Sequence, residues 1–420
     1  MQKVLRTFSD IDLGGKRVLF RAAYDVVLEH EHGRIVVADD TRIRTSLASL
    51  RYLLKKKCRV VILTWLGRPG GKIVRDLRLD PVAKHLSHLI KKPVKKLDAV
   101  SGPIVEKEIA RMKGGDIVML ENVRFSPWEE HHNDALADAL AGYADCVVFE
   151  AFPQSHRDYP STTGVLSRLP SICGTDMYTE ITTLCGILEK PAYPFVVVLG
   201  GAKISDKIDL ITHLLTVADA ILIGGALSHN FLKARGIKIG GSLVEGQRLD
   251  LKKERKKLYT IAEEIMKKAG ESYVNIAPGI TVPKLVLPVD LVAAPDPKHP
   301  QTHHVVNIDG RDALPWNWMY MDIGPRTQQL FSRVIKKAEV VFWNGPLGFT
   351  EERAFAQGSI AIAKAIAESK ARSIAGGGDT ESFLRTYRLR SSFDYISTGG
   401  GAALELLAGK ELPVLRYLSK

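Results

Sequence analysis

The chain has 420 residues, a length that suits two or three domains rather than one core. Hydrophobic residues make up 45% and charged residues 25%, which excludes a disordered or fibrous chain. The 59 lysines and arginines exceed the 47 aspartates and glutamates by 12, so phosphometabolites, nucleotides or nucleic acid all suit the charge, which does not choose among them. No apolar run approaches the roughly 20 residues needed to cross a bilayer, and the first ten residues are too polar for a secretion signal. Cys58, Cys146, Cys173 and Cys185 stand far apart, with no CxxC and no paired Cys/His set, against a disulfide framework or a zinc site. The expectation is a reduced, cytoplasmic protein with no membrane partner.

Short apolar, β-branched runs recur along the chain, each ending in Gly, Pro or Asn and followed by a helical pattern. They lie at 17–20, 60–65, 116–120 and 146–149, then at 195–199, 220–223, 340–343, 373–375 and 395–396. Continuous hydrophobicity within a run predicts a strand covered on both faces, as in parallel sheets. Helical stretches lie between, at 42–57, 81–91 and 355–369. The fold class is therefore α/β, with doubly wound parallel sheets. Two series of runs predict two domains, joined near the helical stretch 178–189, which Pro191 and Pro194 close. The charged stretches 55–57, 91–96 and 250–268 lack the interleaved aromatics that stack bases and read as solvated helix faces, so no nucleic-acid partner is expected.

Ligands of open parallel sheets bind beyond the carboxyl ends of the strands. In the first half those ends and the turns after them carry Arg21, Arg42, Arg68, Arg124 and Arg157. Guanidinium forks bind carboxylate and phosphate bidentately, so five together favour a small, multiply charged anion over surface ion pairs. In the second half the ends carry Gly200-Gly201-Ala202-Lys203 with Lys207, Gly224-Gly225, Asn344-Gly345-Pro346, Gly376-Gly377-Gly378-Asp379-Thr380 and Gly399-Gly400-Gly401. Glycine lets backbone N–H groups approach phosphate, and a following helix adds its dipole. Tight turns explain any one cluster equally well; several on one sheet edge, with two lysines and an acid, favour a nucleotide. Asp379 suits Mg²⁺ beside a phosphate. Neither a P-loop GxxxxGK[ST] nor a GxGxxG after a strand is present.

These motifs, in this order, resemble the phosphoglycerate kinase family. Matching segments include 40–44, 66–69, 120–125, 200–207, 322–325, 343–346, 376–380 and 397–402, and the likeness runs from about residue 12 to the end. The resemblance implies two Rossmann-like domains facing a cleft and joined by a hinge helix. They would be 1–177 completed by 404–420, for the acceptor; 178–194, the hinge; and 195–403, for the nucleotide. It implies phosphoryl transfer between ATP and the carboxylate of 3-phosphoglycerate, with Mg²⁺ and ATP or ADP, by a monomer. Lys203 would stabilise the moving group, Lys207 would hold the phosphates and Arg42 would bind the acceptor carboxylate. The nucleotide would also meet Gly225, Gly324, Asn344, Pro346, Glu351, Gly377, Gly378, Asp379 and Thr380, with Asp379 on the metal.

The acceptor side departs from the family. Where the family reads roughly Arg-Val-Asp-Phe-Asn-Val-Pro, this chain has Arg21-Ala22-Ala23-Tyr24-Asp25-Val26-Val27, so an aspartate and an asparagine become Ala23 and Asp25. A phosphate-binding histidine becomes Trp65, and another becomes Tyr159. The charge readers Arg42, Arg68, Arg124 and Arg157 survive, and Arg21, Asp25 and Trp65 complete the candidate acceptor set. Asp25 is the residue present to take over the hydroxyl contact. Three readings stay open: the family's enzyme, an enzyme with a changed acceptor, and a nucleotide-binding pseudokinase. Elsewhere the plainer reading wins: His131-His132 as exposed polar residues, Trp316 and Trp318 as surface packing, and His156 as support for Arg157 rather than a general base.

Overall fold

The computed structural model describes residues 4–131, 133–189, 191–245, 252–271, 273–298, 300–309, 312 and 314–420, with no description of the side chains of 252–259. His131 is exposed, and His132 lies outside the described residues. The chain divides into two compact units, one of Met1–Thr183 with Glu411–Lys420 and one of Leu184–Lys410.

In the first unit six strands form one parallel sheet: β1 (Arg17–Arg21), β2 (Arg59–Leu63), β3 (Lys95–Lys96), β4 (Ile117–Met119), β5 (Cys146–Phe149) and β6 (Ser171–Cys173). Their order is β3-β4-β2-β1-β5-β6, every adjacent pair parallel. The interior strands are buried along almost their whole length, which is why they read as unbroken apolar runs. The chain leaves β1 toward β2 on one side and returns on the other side as β5. The reversal opens a crevice at the carboxyl end of β1, and Arg21 is the last residue of that strand.

The second unit repeats this logic with β7 (Phe195–Leu199), β8 (Ala220–Ile223), β9 (Leu285–Val286), β10 (Val340–Asn344), β11 (Arg372–Gly376) and β12 (Tyr395–Ser397). The order β9-β8-β7-β10-β11-β12, all parallel, puts its reversal between β7 and β10. Both strands there end where Leu199 pairs with Asn344. A separate antiparallel sheet, with Asp290–Ala294 between His304–Asn307 and Met319–Ile323, was not foreseen from sequence. Its strands are short, and the apolar run Leu291–Ala294 is followed by Pro295 rather than by a glycine cluster.

Two details differ from the sequence reading. The stretch 42–57 is broken into helices Thr41–Thr45 and Leu47–Lys55, because the Ser46 hydroxyl donates to the Ile43 carbonyl at 2.8 Å and pairs with the Tyr24 hydroxyl at 2.9 Å. The expected return to the first domain at residue 404 comes later. Helix Gly401–Leu407 buries Leu406 and Leu407 and packs on helix Ile208–Val217 of the second unit. Only the last ten residues, from Glu411 on, belong to the first, where the Lys420 N–H donates to the Val4 carbonyl at 2.7 Å.

The division between the units falls inside the helix Thr175–Glu189. Its first turn is held by a buried carboxyl group. Glu150 accepts from the Met177 N–H (3.2 Å) and from the Ser49 hydroxyl (2.5 Å), and the Thr175 N–H donates to Ser49 Oγ (2.8 Å). Burial, with Asp176 adding its charge, pushes Glu150 up to about 8. The folded protein therefore keeps this proton after the unfolded chain has lost its own near pH 4.5, so the stabilisation is complete below that pH and is lost as pH rises through about 8. Glu150→Gln cannot titrate. Denaturant melts at a series of pH values should show the variant losing one proton's share of the slope, at most about 1.4 kcal/mol per pH unit.

Candidate functional site

The reversal point of the second unit opens onto a cavity of about 590 Å³. One end is backbone. The Gly200 N–H donates to the Asn344 carbonyl (2.9 Å), the Gly201 N–H to the Pro346 carbonyl (2.8 Å) and the Gly225 N–H to the Leu347 carbonyl (2.9 Å). No side chain fits between these layers. A Cβ on Gly200 would stand 2.1 Å from the Pro346 oxygen, and one on Gly225, whose φ is +61°, 2.8 Å from the same atom. The other end is apolar and comes partly from the antiparallel sheet: Leu291, Met319, Tyr320, Met321, Leu347, Phe349, Phe383 and Tyr387 line it, with His229. His229 Nδ1 lies 2.8 Å from the Leu243 carbonyl, and burial lowers the ring to about 4, so it is neutral.

Charged groups stand at the backbone end. Lys207 is buried, and a Cβ on Gly201 would be 3.3 Å from its Nζ. Burial lowers its pKa, opposed by the charges of Asp206, Asp379 and Glu245. Lys203 is exposed. Asp379 and Glu351 are exposed and line the cavity, as do Gly225 and Pro346. Gly377, at φ +96°, precedes the helix Gly378–Thr386, whose first turn contains Asp379 and Thr380. The Thr380 hydroxyl accepts from the Gly345 N–H (2.7 Å), and Asn344 Nδ2 donates to the Gly376 carbonyl (2.8 Å). These two residues therefore fix the loops instead of presenting free groups.

Gly324 was expected at the nucleotide, yet it is buried outside the cavity lining. A Cβ there would lie 2.4 Å from Asp290 Cγ, and that carboxylate already accepts from the Arg326 and Thr327 N–H groups (3.0 and 2.7 Å). A helix start whose donors face a protein carboxylate has none left for phosphate. An exposed carboxylate at the helix start, Asp379, fits Mg²⁺, which takes one or two carboxylates plus phosphate and water. It does not fit a protein-caged ion: among the described residues no group of three or more His, Cys, Asp or Glu could hold a metal.

In the first unit Arg21 is fully buried. Its Nε donates to the Ser161 carbonyl (2.9 Å) and its Nη1 to the Ala22 carbonyl (2.7 Å), while Nη2 has no hydrogen-bond partner among the described residues. Burial lowers it to about 10, with Glu129 opposing and Arg124 adding to the effect. Glu129, also buried, accepts from the Ser161 hydroxyl and N–H, and burial raises its carboxyl to about 7. Trp65 is 3% exposed, with the guanidinium carbons of Arg21 and Arg124 at 4.6 and 4.1 Å from its ring centroid and Tyr159 at 6.0 Å.

The turn after β2 is held from both sides: Asp25 Oδ1 accepts from the Gly67 N–H (2.8 Å) and Arg124 Nη1 donates to the Gly67 carbonyl (2.7 Å). Asp25 is thus committed to this turn. Its own carbonyl accepts from Arg42 Nη1 at 2.7 Å. Arg42 and Arg157 are half-buried and Arg68 is exposed. His156, lowered to about 4 by burial and by Arg157, is uncharged at neutral pH.

The sequence reading missed Glu129, Ser161, His229 and the aromatic wall. Glu129 sits in a polar stretch that reads as surface, and the wall comes from strands and helices without a motif.

The family model for phosphoglycerate kinase matches residues 8–410. The phosphoglycerate kinase of Dictyoglomus turgidum is 43% identical over 418 residues, 99% of each chain. That of Pelotomaculum thermopropionicum is 40% identical over 413 residues, 98% of each. Among solved structures, the phosphoglycerate kinase of Coxiella burnetii superposes with a TM-score of 0.80 at 35% identity, covering 99% of this chain and 98% of that one.

The backbone layering makes a direct stability prediction. Gly200→Ala should destabilise the second unit by about 1–3 kcal/mol, because the 2.1 Å approach allows no methyl group. Gly378→Ala, with nothing within 4 Å, should change stability by no more than about 0.5 kcal/mol. Denaturant melts of the two variants check this, and equal losses would refute it.

Proposed function

This chain belongs to the phosphoglycerate kinase family, and on that premise we propose that it transfers a phosphoryl group reversibly between ATP and the carboxylate of 3-phosphoglycerate, with Mg²⁺. The observation that carries the reading is the pairing of a desolvated lysine with a side-chain-free backbone edge beside an apolar slot. A nucleotide needs these two surfaces and little else.

The apolar wall takes the base, Glu351 the ribose, and the helix start at Gly377–Thr380 with Lys207 the phosphates. Asp379 would hold the Mg²⁺, which when bound neutralises phosphate charge. Arg42, Arg68 and Arg157, with guanidinium surface open to solvent, take the acceptor's carboxylate and phosphate. The acceptor carboxylate is ionised at neutral pH and attacks without a base, which agrees with a neutral His156. Charge builds on the transferred group, and Lys207, Lys203 and Arg42 are the cations that offset it. The transfer requires the acceptor and nucleotide to meet, and we take the helix Thr175–Glu189 as the hinge for that motion. The reading extends to a cytoplasmic monomer serving glycolysis or gluconeogenesis; no helix among the described residues is long and apolar enough to cross a membrane.

Coupled turnover of MgATP with 3-phosphoglycerate tests this. Wild-type protein should turn over, and Lys207→Ala or Arg42→Ala should each lower kcat by about 10²–10³. Background-level turnover by the folded wild type would refute the proposal.

A further inference from the structure

The strand order places three side chains in a row. Arg124 follows β4, Trp65 follows β2 and Arg21 ends β1, and these strands are neighbours in the order β4-β2-β1. The indole therefore lies against two guanidinium groups, its ring centroid 4.1 Å from Arg124 Cζ and 4.6 Å from Arg21 Cζ. All three residues are buried. Two cations this close repel each other, and a π-system against both offsets that repulsion most where water is excluded. Each arginine is also anchored, Arg21 at the Ser161 and Ala22 carbonyls and Arg124 at the Gly67 carbonyl and, through Nε, at Glu130 Oε1 (3.2 Å), and the ring packs on both forks. Arg21 Nη2 remains buried and unbonded, a donor held in reserve.

We propose that Trp65 is a positioning residue that holds Arg21 and Arg124 in fixed orientation, so that the acceptor's anionic groups, taken by the more exposed arginines, meet a pre-set positive field instead of a mobile one. The proposal rests on the reading of the first unit as an acceptor site, and it assigns Trp65 no contact with the acceptor. Ordering two long side chains in advance removes an entropy cost that binding would otherwise meet, and affinity rises accordingly. The ring's π-face is what matters. Phenylalanine should serve in part, and an aliphatic side chain of similar bulk should not.

The test uses the full chain and two readouts. In the first, the Arg21 and Arg124 Nε–H signals, assigned with Arg21→Lys and Arg124→Lys, are followed by NMR without ligand. Restricted guanidinium rotation is expected in wild type and Trp65→Phe, and fast averaging in Trp65→Leu. In the second, calorimetry measures 3-phosphoglycerate and MgADP separately. Trp65→Leu should weaken 3-phosphoglycerate about tenfold, Trp65→Phe about two- to threefold, and neither should change MgADP. Averaged arginine signals in wild type overturn the proposal, as does equal loss of acceptor affinity in the Phe and Leu variants. Wild type with restricted arginines that binds MgADP but no 3-phosphoglycerate refutes the acceptor reading while upholding the positioning role. If Trp65→Leu fails to fold, the step from wild type to Phe decides: unchanged acceptor affinity together with unchanged arginine rotation overturns the proposal.

Discussion

Arg21 and Lys207 leave water at matching places in the two units, each at or just beyond the carboxyl end of the strand from which its sheet reverses. Taking a cation out of water costs several kcal/mol, and the protein offsets only part of it. For Arg21 the offset is two backbone carbonyls, the Ser161 hydroxyl and the Glu129 carboxyl, and the guanidinium is still lowered to about 10. For Lys207 it is the field of Asp206, Asp379 and Glu245, which burial outweighs. An anion bound beside either group supplies the missing countercharge. On the proposed reading, a bound anion would therefore stabilise each unit by mass action.

The two units meet this constraint by opposite means. The second strips side chains away: where β7 and β10 end, Gly200, Gly225 and Gly345 interlock so closely that no side chain fits between the layers, and their N–H groups are taken up in holding the layers together. On the proposed reading phosphate would meet the start of the helix Gly378–Thr386 and Lys207 beside this edge. The first unit fills its reversal point with large planar groups, Arg21, Trp65, Arg124 and Tyr159, and on the proposed reading would recognise charge through guanidinium forks. A fork discriminates by orientation, so it needs a rigid surround. The buried indole and the doubly held Gly67 turn provide one.

Parallel strands buried on both faces leave a plain trace in sequence, and the glycine and arginine clusters lie where the sequence placed them, at or after the ends of β1, β2, β7, β10 and β11. The edge strands Lys95–Lys96 and Leu285–Val286 left no trace, being two residues each. The antiparallel sheet that supplies Leu291 and Met319–Ile323 to the cavity wall escaped because its edge strands are partly exposed or carry charge and no glycine cluster marks their ends. Motif likeness also gave no sign that Gly324 packs against the Asp290 carboxylate, which leaves no room for a Cβ there. It could not show that Asn344 and Thr380 are spent on holding loops. Such roles depend on partners distant in sequence, and a linear motif contains only one side of the contact.

The altered acceptor residues are linked in space, which bears on how they arose. Trp65 lies 6.0 Å from Tyr159, both departures from the family pattern, and Asp25, a third, holds the Gly67 turn on which Arg124 is anchored. Independent drift would not produce replacements that support one another around the same cations. A site losing its function would shed its buried charges early, since each unpaired one is costly and substitution by an apolar residue of similar volume often stabilises the fold. Here Arg21 and Arg124 remain buried, and burial pushes the carboxyl of the adjacent Glu129 up to about 7. Buried arginines kept beside altered neighbours fit the proposed reading, in which this unit would still take a small polyanion.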